Sequence, residues 1–254
     1  MFTVNTTWVA SANVYPDRLR ETALRLIFGK WWLRCVSIVK LRLAEILLEG
    51  SPTQFWDVLK QLGVEEATGI LPRAYPDWRQ WRYDEPWDYA SLSSYKRSIE
   101  DYGFRLTVIE DNPPMDKIKY GLPGRDEQLD SVAKLIENMG KLSIPIWVYN
   151  WMPTMWERTR RALRGRGGSI VGGFSVEDLE GAPPPKLGRV EAATLWRTLK
   201  EFLEFIVPVA EASGVKLAMH PDDPPVEELQ GTARIMNSVE AYDRLLELAP
   251  SEHN

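Results

Sequence analysis

One rhythm constrains this chain more than any other feature. From Leu41 onward a short apolar run, a loop and a helix-period segment follow one another five times. The first run covers residues 41–47 and leads into Ser51-Pro52-Thr53-Gln54, which reads as a capping box with proline at the first helical position. Phe55, Leu59 and Leu62 then recur at helical spacing, and Gly63 closes the segment. A second strand is expected over 67–71, with a helix over 91–102 ended by Gly103. The third strand, 104–109, precedes a helix whose apolar face carries Leu129, Val132, Ala133, Ile136 and Met139. The fourth, 144–149, is followed at a distance by Leu195, Leu199, Phe202, Leu203 and Ile206, with Gly214 as stop. Pro208 inside that pattern predicts a kink or an early end of regular helix. The fifth strand, 215–219, precedes a helix marked by Tyr242, Leu245 and Leu246. Strands alternating with helices imply a parallel sheet with right-handed crossovers. Periodicity leaves a doubly wound open sheet and a barrel both standing. No glycine-rich dinucleotide loop follows the first strand, which weighs against the open sheet.

Two stretches break the rhythm. The connection over 151–194 is far longer than the usual two to six residues between strand and helix. It holds Arg158, Arg160, Arg161, Arg164 and Arg166, then Pro183-Pro184-Pro185, and reads as a lid or a disordered insertion. Residues 1–40 carry a net charge of +4, which leaves −9 for the remainder of a chain whose total is −5. They are expected to be an N-terminal extension outside the folded unit, with 41–254 as the single α/β domain. The mild overall charge argues against a nucleic-acid partner. No apolar run approaches the ~18 residues of a membrane span. The one cysteine, Cys35, forms neither an internal disulfide nor a cysteine-rich zinc site, and a reducing cytoplasm is the simplest compartment.

In a parallel α/β unit of the barrel type, chemistry gathers at the carboxyl ends of the strands. Those ends read, in order, Glu49, Arg73, Glu110-Asp111-Asn112, Tyr149-Asn150-Trp151 and His220-Pro221-Asp222-Asp223-Pro224-Pro225. The last is the most specific. It sets an imidazole at a strand terminus, two carboxylates beside it and a rigid double-proline exit. Such a histidine suits a divalent ion, and the carboxylates suit ligation, orientation or base chemistry. A plain surface turn accounts for Pro-Asp-Asp-Pro as well. Asn150 as a turn former, the arginines as a solvated face, and Trp147, Trp151 and Trp156 as packing are the corresponding bland alternatives. His253 is read as inert.

Three segments occur together in order: Gly121-Leu122-Pro123-Gly124-Arg125-Asp126; Tyr149-Asn150-Trp151-Met152-Pro153, with Trp156-Glu157-Arg158-Thr159 following; and Met219-His220-Pro221-Asp222-Asp223-Pro224-Pro225. Over residues 41–254 the chain resembles the mannonate dehydratase family, within the xylose-isomerase-like barrels. The resemblance implies an incomplete (β/α)₈ TIM barrel, with about five of its eight βα units present. It implies a carbon–oxygen lyase of sugar-acid breakdown that converts D-mannonate to 2-keto-3-deoxy-D-gluconate. A manganese-type ion (or Fe²⁺) is implied at His220, with further Cys, His and Asp ligands and a catalytic Tyr on later strands that have no counterpart here. Glu110, Asn150, Trp151, Arg158, Asp222 and Asp223 are the expected sugar-acid contacts, while the family's acid and base residues stay unassigned. The chain is therefore expected to be an incomplete form of low or no activity. A metal-dependent isomerase or epimerase of the same superfamily, and a non-catalytic sugar-acid binder, remain as alternatives. Assembly into a homo-oligomer is left open.

Overall fold

The structure is a computed structural model that describes residues 42–72, 85–154, 158–181 and 185–254. The expectations for residues 1–40, including Cys35, and for Arg73, Trp156, Glu157, Pro183 and Pro184 lie outside the described residues.

The elements in chain order are β1 (Ala44–Leu47), α1 (Gln54–Gln61), β2 (Glu66–Gly69), α2 (Tyr89–Asp101), β3 (Arg105–Glu110), α3 (Asp116–Tyr120), α4 (Arg125–Lys141) and β4 (Ile146–Asn150). They continue through β5 (Arg160–Arg164), β6 (Ile170–Gly173), α5 (Ala192–Ser213), β7 (Lys216–His220), β8 (Glu228–Leu229), β9 (Thr232–Ala233) and α6 (Val239–Leu248). Five strands form one sheet in the order β1-β2-β3-β4-β7, and every pairing is parallel. The sequential order expected from the βα rhythm is what the sheet shows. Among the described residues β1 and β7 do not pair, so this sheet is not a closed barrel. No described helix is long and apolar enough to cross a membrane.

Burial alternates along the strands because successive side chains point to opposite faces. On β4, Trp147 and Tyr149 are buried against Phe202 of α5, with ring centroids 6.5 and 5.7 Å away. Burying each such side chain stabilises the fold by roughly 1.5–3 kcal/mol. On the opposite face Thr68, Val108, Glu110, Val148, Asn150 and His220 are only half-buried. Among the described residues the helices seal one face of the sheet, and the other leads up to the strand ends.

Several local expectations need correction. The capping box does not form. Thr53, not Ser51, is the residue before the helix, it makes no side-chain cap, and Trp56 N–H bonds to the Thr53 carbonyl at 3.0 Å. The inward face of α1 is Trp56 and Leu59, while Phe55 and Leu62 are exposed. Trp56 sets that phase by packing edge-on against Tyr102 and Phe104, at 5.3 and 5.9 Å. Pro208 does not end α5, which runs on to Ser213. The carbonyl that the proline leaves without its helical donor belongs to Glu204, and both residues lie on the exposed side of the helix, open to solvent. The connection over 151–194 contains an ordered antiparallel hairpin, β5–β6, whose strands are almost wholly exposed. His253 is not idle. Its carbonyl accepts from Leu217 N–H at 2.7 Å and its Nδ1 lies 2.8 Å from the Val215 carbonyl, so the C-terminal residues bond to the outer edge of β7.

Candidate active site

Parallel pairing in register brings the ends of β3, β4 and β7 together. Asn150 is the lateral partner of His220, and Glu110 lies one strand further, opposite Val148. The side chains of Glu110, Asn150 and His220 share the half-exposed face. Glu110 Oε1 lies 3.8 Å from His220 Nε2. His220 Nδ1 sits 2.6 Å from the Pro221 carbonyl, which requires Nδ1 to carry the proton as donor. Nε2 is thus the ring nitrogen turned toward Glu110, and in the neutral imidazole it is the one with the lone pair that a metal ligand or a base needs.

The two aspartates after β7 part company. Asp223 is half-exposed and its carboxylate accepts a forked pair from Arg158, at 2.7 and 3.3 Å. Asp222 turns inward. Its Oδ2 accepts Met236 N–H at 2.7 Å, its own N–H donates to the Met236 carbonyl at 2.9 Å, and Arg234 approaches Oδ1 to 4.0 Å. Burial pushes the Asp222 carboxyl above its ordinary range, against the pull of Met236 N–H, Arg234 and Lys119. Arg234 in turn donates to Thr154 Oγ1 at 3.0 Å, tying this cluster to the segment after β4. Trp151 also turns inward. It is buried, its indole N–H donates to the Leu195 carbonyl at 3.1 Å, and its ring packs on Phe202 at 5.0 Å. Of the remaining arginines, Arg160 pairs with Asp178 at 2.8 Å, and Arg161, Arg164 and Arg166 are exposed on the hairpin.

Sequence reasoning missed Lys119. This buried lysine on α3 donates to Asn150 Oδ1 and to the Met152 carbonyl, both at 3.0 Å. Burial pushes its ammonium down to about 7, with Asp222 pulling the other way. Its only signal in the sequence is that it stands two residues before the Gly121-Leu122-Pro123-Gly124 turn.

Glu110 and His220 are donors of the kind a manganese-type ion accepts. Among the described residues, however, no group of three His, Cys, Asp or Glu side chains could hold a metal. A catalytic ion needs about three protein ligands. The donors present do not make a complete site, and no chemical step is routed through one.

The family model for D-mannonate dehydratase (UxuA) matches residues 54–254. The mannonate dehydratase of Streptococcus pneumoniae is 33% identical over 201 residues, covering 68% of this chain and 55% of that protein. Its counterpart from Streptococcus agalactiae is 30% identical over 201 residues, covering 68% of this chain and 57% of that protein. The crystal structure of mannonate dehydratase from Streptococcus suis serotype 2 superposes with a TM-score of 0.73 at 30% identity, over 84% of this chain and 61% of that one. The 3-keto-D-glucoside 4-epimerase of E. coli, at a TM-score of 0.53 and 12% identity over 84% of this chain and 66% of that one, shares the fold alone. The chain spans about half the length of the curated relatives it matches. By family model, by identity and by structure, it belongs to the mannonate dehydratase family.

Proposed function

We propose that this chain carries the sugar-acid-binding part of a D-mannonate dehydratase, a hydro-lyase that converts D-mannonate to 2-keto-3-deoxy-D-gluconate and water. The single observation that carries the reading is the clustering of Glu110, Asn150 and His220 on one face at the strand ends, with His220 Nε2 turned toward Glu110 at 3.8 Å.

The chemistry asks for three things. The carboxylate must be held, the C2 proton must be taken, and the C3 hydroxyl must be protonated as it leaves. Arg158 is the group for the carboxylate, because its planar fork already accommodates the carboxylate of Asp223. Asn150 Oδ1 is engaged by Lys119 and by Met152 N–H, so the amide nitrogen is the end presented to sugar oxygens. His220 Nε2 is a base or a ligand. A manganese-type ion (Fe²⁺ as the alternative), which the family resemblance implies, would act as a Lewis acid on the substrate. It needs donors beyond the described ones. Asp222 and Trp151 support the site from beneath, through Met236 and Phe202.

The test is calorimetric titration of the 254-residue chain with D-mannonate, with and without added manganese, alongside an assay for 2-keto-3-deoxy-D-gluconate. Binding is expected, weakened roughly tenfold or more in Arg158→Ala by loss of a charge-assisted contact. His220→Ala is expected to remove any manganese dependence. Absence of D-mannonate binding, or binding indifferent to Arg158, would overturn the reading.

A further inference from the structure

We propose that Lys119 is a positioning residue that locks the Asn150 carboxamide in one flip state, so that the end of β4 presents an N–H₂ donor to the oxygens of a sugar acid. The claim rests on the proposed function and deepens it at one strand end.

The geometry builds from the Gly121-Leu122-Pro123-Gly124-Arg125-Asp126 segment, to which the sequence alone assigned no task. Gly121 follows α3 at a φ of 69°, a left-handed conformation that side chains other than glycine's rarely adopt. A Cβ there would also come within 3.3 Å of Arg197 and Thr198 of α5. Leu122 N–H folds back onto the Lys117 carbonyl at 2.9 Å, and Gly124 starts α4 at a φ of 82°. Arg125 then bridges to Glu201 of α5 at 2.8 Å, and the Thr198 hydroxyl donates to the Lys119 carbonyl at 2.8 Å. Through these bonds the five residues of α3 are pinned to α5, with Lys119 facing into the protein beneath the strand ends.

From there its ammonium reaches two acceptors that belong to the site: the Asn150 side-chain oxygen and the Met152 carbonyl, each at 3.0 Å. An ammonium has donors only, so the Asn150 atom it meets must be oxygen. Met152 N–H reaches the same oxygen at 3.3 Å. Two donors on one oxygen fix the amide nitrogen as the outward group. Without Lys119 the carboxamide is held by the Met152 amide alone and turns easily, which would offer an acceptor where substrate carboxylate and hydroxyl oxygens need a donor. Asp222, the buried carboxylate after β7, is the counter-charge that makes an ammonium tolerable there, and Arg234 competes for it.

The test is a double-mutant cycle on the 254-residue chain with D-mannonate as titrant. Its two readouts are the Asn150 side-chain amide resonances, assigned by their loss in Asn150→Ala, and the dissociation constant. Lys119→Met is expected to move the Asn150 resonances and to weaken D-mannonate roughly tenfold, while adding nothing in the Asn150→Ala background. Lys119→Arg, which keeps donors, should recover part of the loss. Wild-type affinity in Lys119→Met, or penalties that add in the double variant, would overturn the proposal. If the unmutated chain binds no D-mannonate, the functional reading fails by itself and the resonances decide. Unmoved, they overturn the positioning role; moved, they sustain it for a different ligand. Should Lys119→Met fail to fold, Asn150→Asp serves instead. It gives the ammonium a stronger partner but cannot donate, so it must lose D-mannonate affinity while its melting temperature rises. Retained affinity in that variant overturns the proposal equally.

Discussion

The two ends of the sheet each hold a buried carboxylate among cations, and they treat it in opposite ways. At the amino end of the strands, Glu66 is nearly inaccessible, but its partners are not: Arg42 and Arg105 are 53% and 55% exposed. They reach in from water, together with the Thr107 hydroxyl at 3.1 Å. Burial pushes the Glu66 carboxyl up, yet Arg105, Thr107 and Arg42 together outweigh it and hold it below its ordinary range. At the carboxyl end all three members of the cluster, Lys119, Asp222 and Arg234, are buried. There desolvation prevails, driving the lysine down and the aspartate up. A charge solvated through its partners stabilises a fold, whereas a charge desolvated with its partners costs stability and gains rigidity. Barrel-type proteins place chemistry at the carboxyl end, which is where this chain accepts that cost.

The largest effect should come from breaking the strained cluster. Asp222→Ala would leave Lys119 and Arg234 as buried like charges and strand Met236 N–H, a loss of about 3–5 kcal/mol. Urea denaturation at pH 7 measures it. A loss below about 1 kcal/mol would mean that water reaches the cluster, and the contrast between the ends would dissolve.

The second effect has the opposite sign. Lys119 releases its proton near 7 when folded and near 10.5 when unfolded, facing Asp222 after β7, Arg234 after β9 and Asp116 on its own helix. Between those values the unfolded chain binds more protons, so stability rises with pH; below about 7 the full penalty stands. Lys119→Met, leaving Asp222 to Arg234, should be more stable than the unmutated chain at pH 6 by about 1–4 kcal/mol. It should also flatten the rise above pH 7. Melting curves across that range decide, and a Lys119→Met variant less stable than its parent at pH 6 sinks the idea of a strained cluster. A gain in stability with a loss of ligand affinity is the signature of a residue kept for function.

The difference between the ends also marks what the sequence could reveal. Strand order, the helix stops and the strand-end positions of Glu110, Asn150 and His220 were legible, because period and punctuation are local properties. The inward face of α1 was not. Phe55 and Trp56 are both apolar neighbours, and only the distant rings of Tyr102 and Phe104 choose between them. Asp222 and Asp223 were likewise indistinguishable on paper, since what divides them is Met236 and Arg234 for one and Arg158 for the other. Lys119 was invisible for the same reason. Its partners lie 31 and 33 residues away, and no periodicity reports on a hydrogen bond of that span.

At the amino end a smaller, ordinary loss is expected. Glu66→Gln removes the charge from an ion-pair and hydrogen-bond set whose arginines are more than half exposed, so about 1 kcal/mol is at stake after screening. The sign with pH follows from a folded carboxyl held below 4.5: the contribution is present above that value and fades as pH falls through the folded one. Wild-type and Glu66→Gln melting temperatures should therefore differ at pH 7 and converge towards pH 3. Differences that grow on acidification would show that burial, not the arginines, governs Glu66.

The smallest change in stability belongs to the rim. Arg158 and Asp223 are each 36% exposed, and a forked pair at that exposure contributes less than about 1 kcal/mol, and less again in salt. Arg158→Ala and Asp223→Ala should each leave the urea midpoint nearly unchanged, and the double variant should add little. Ligand affinity is where they should separate. Losing Arg158 removes the fork proposed to meet the sugar-acid carboxylate, while losing Asp223 removes the carboxylate that occupies the fork beforehand, so the first variant should bind D-mannonate more weakly and the second no less tightly than the parent. If Arg158→Ala instead lowers stability by several kcal/mol, the pair is a structural clamp like the one at Glu66. The arginine would then serve, like those at the amino end, to hold the fold, although it stands beside the carboxyl ends of the strands.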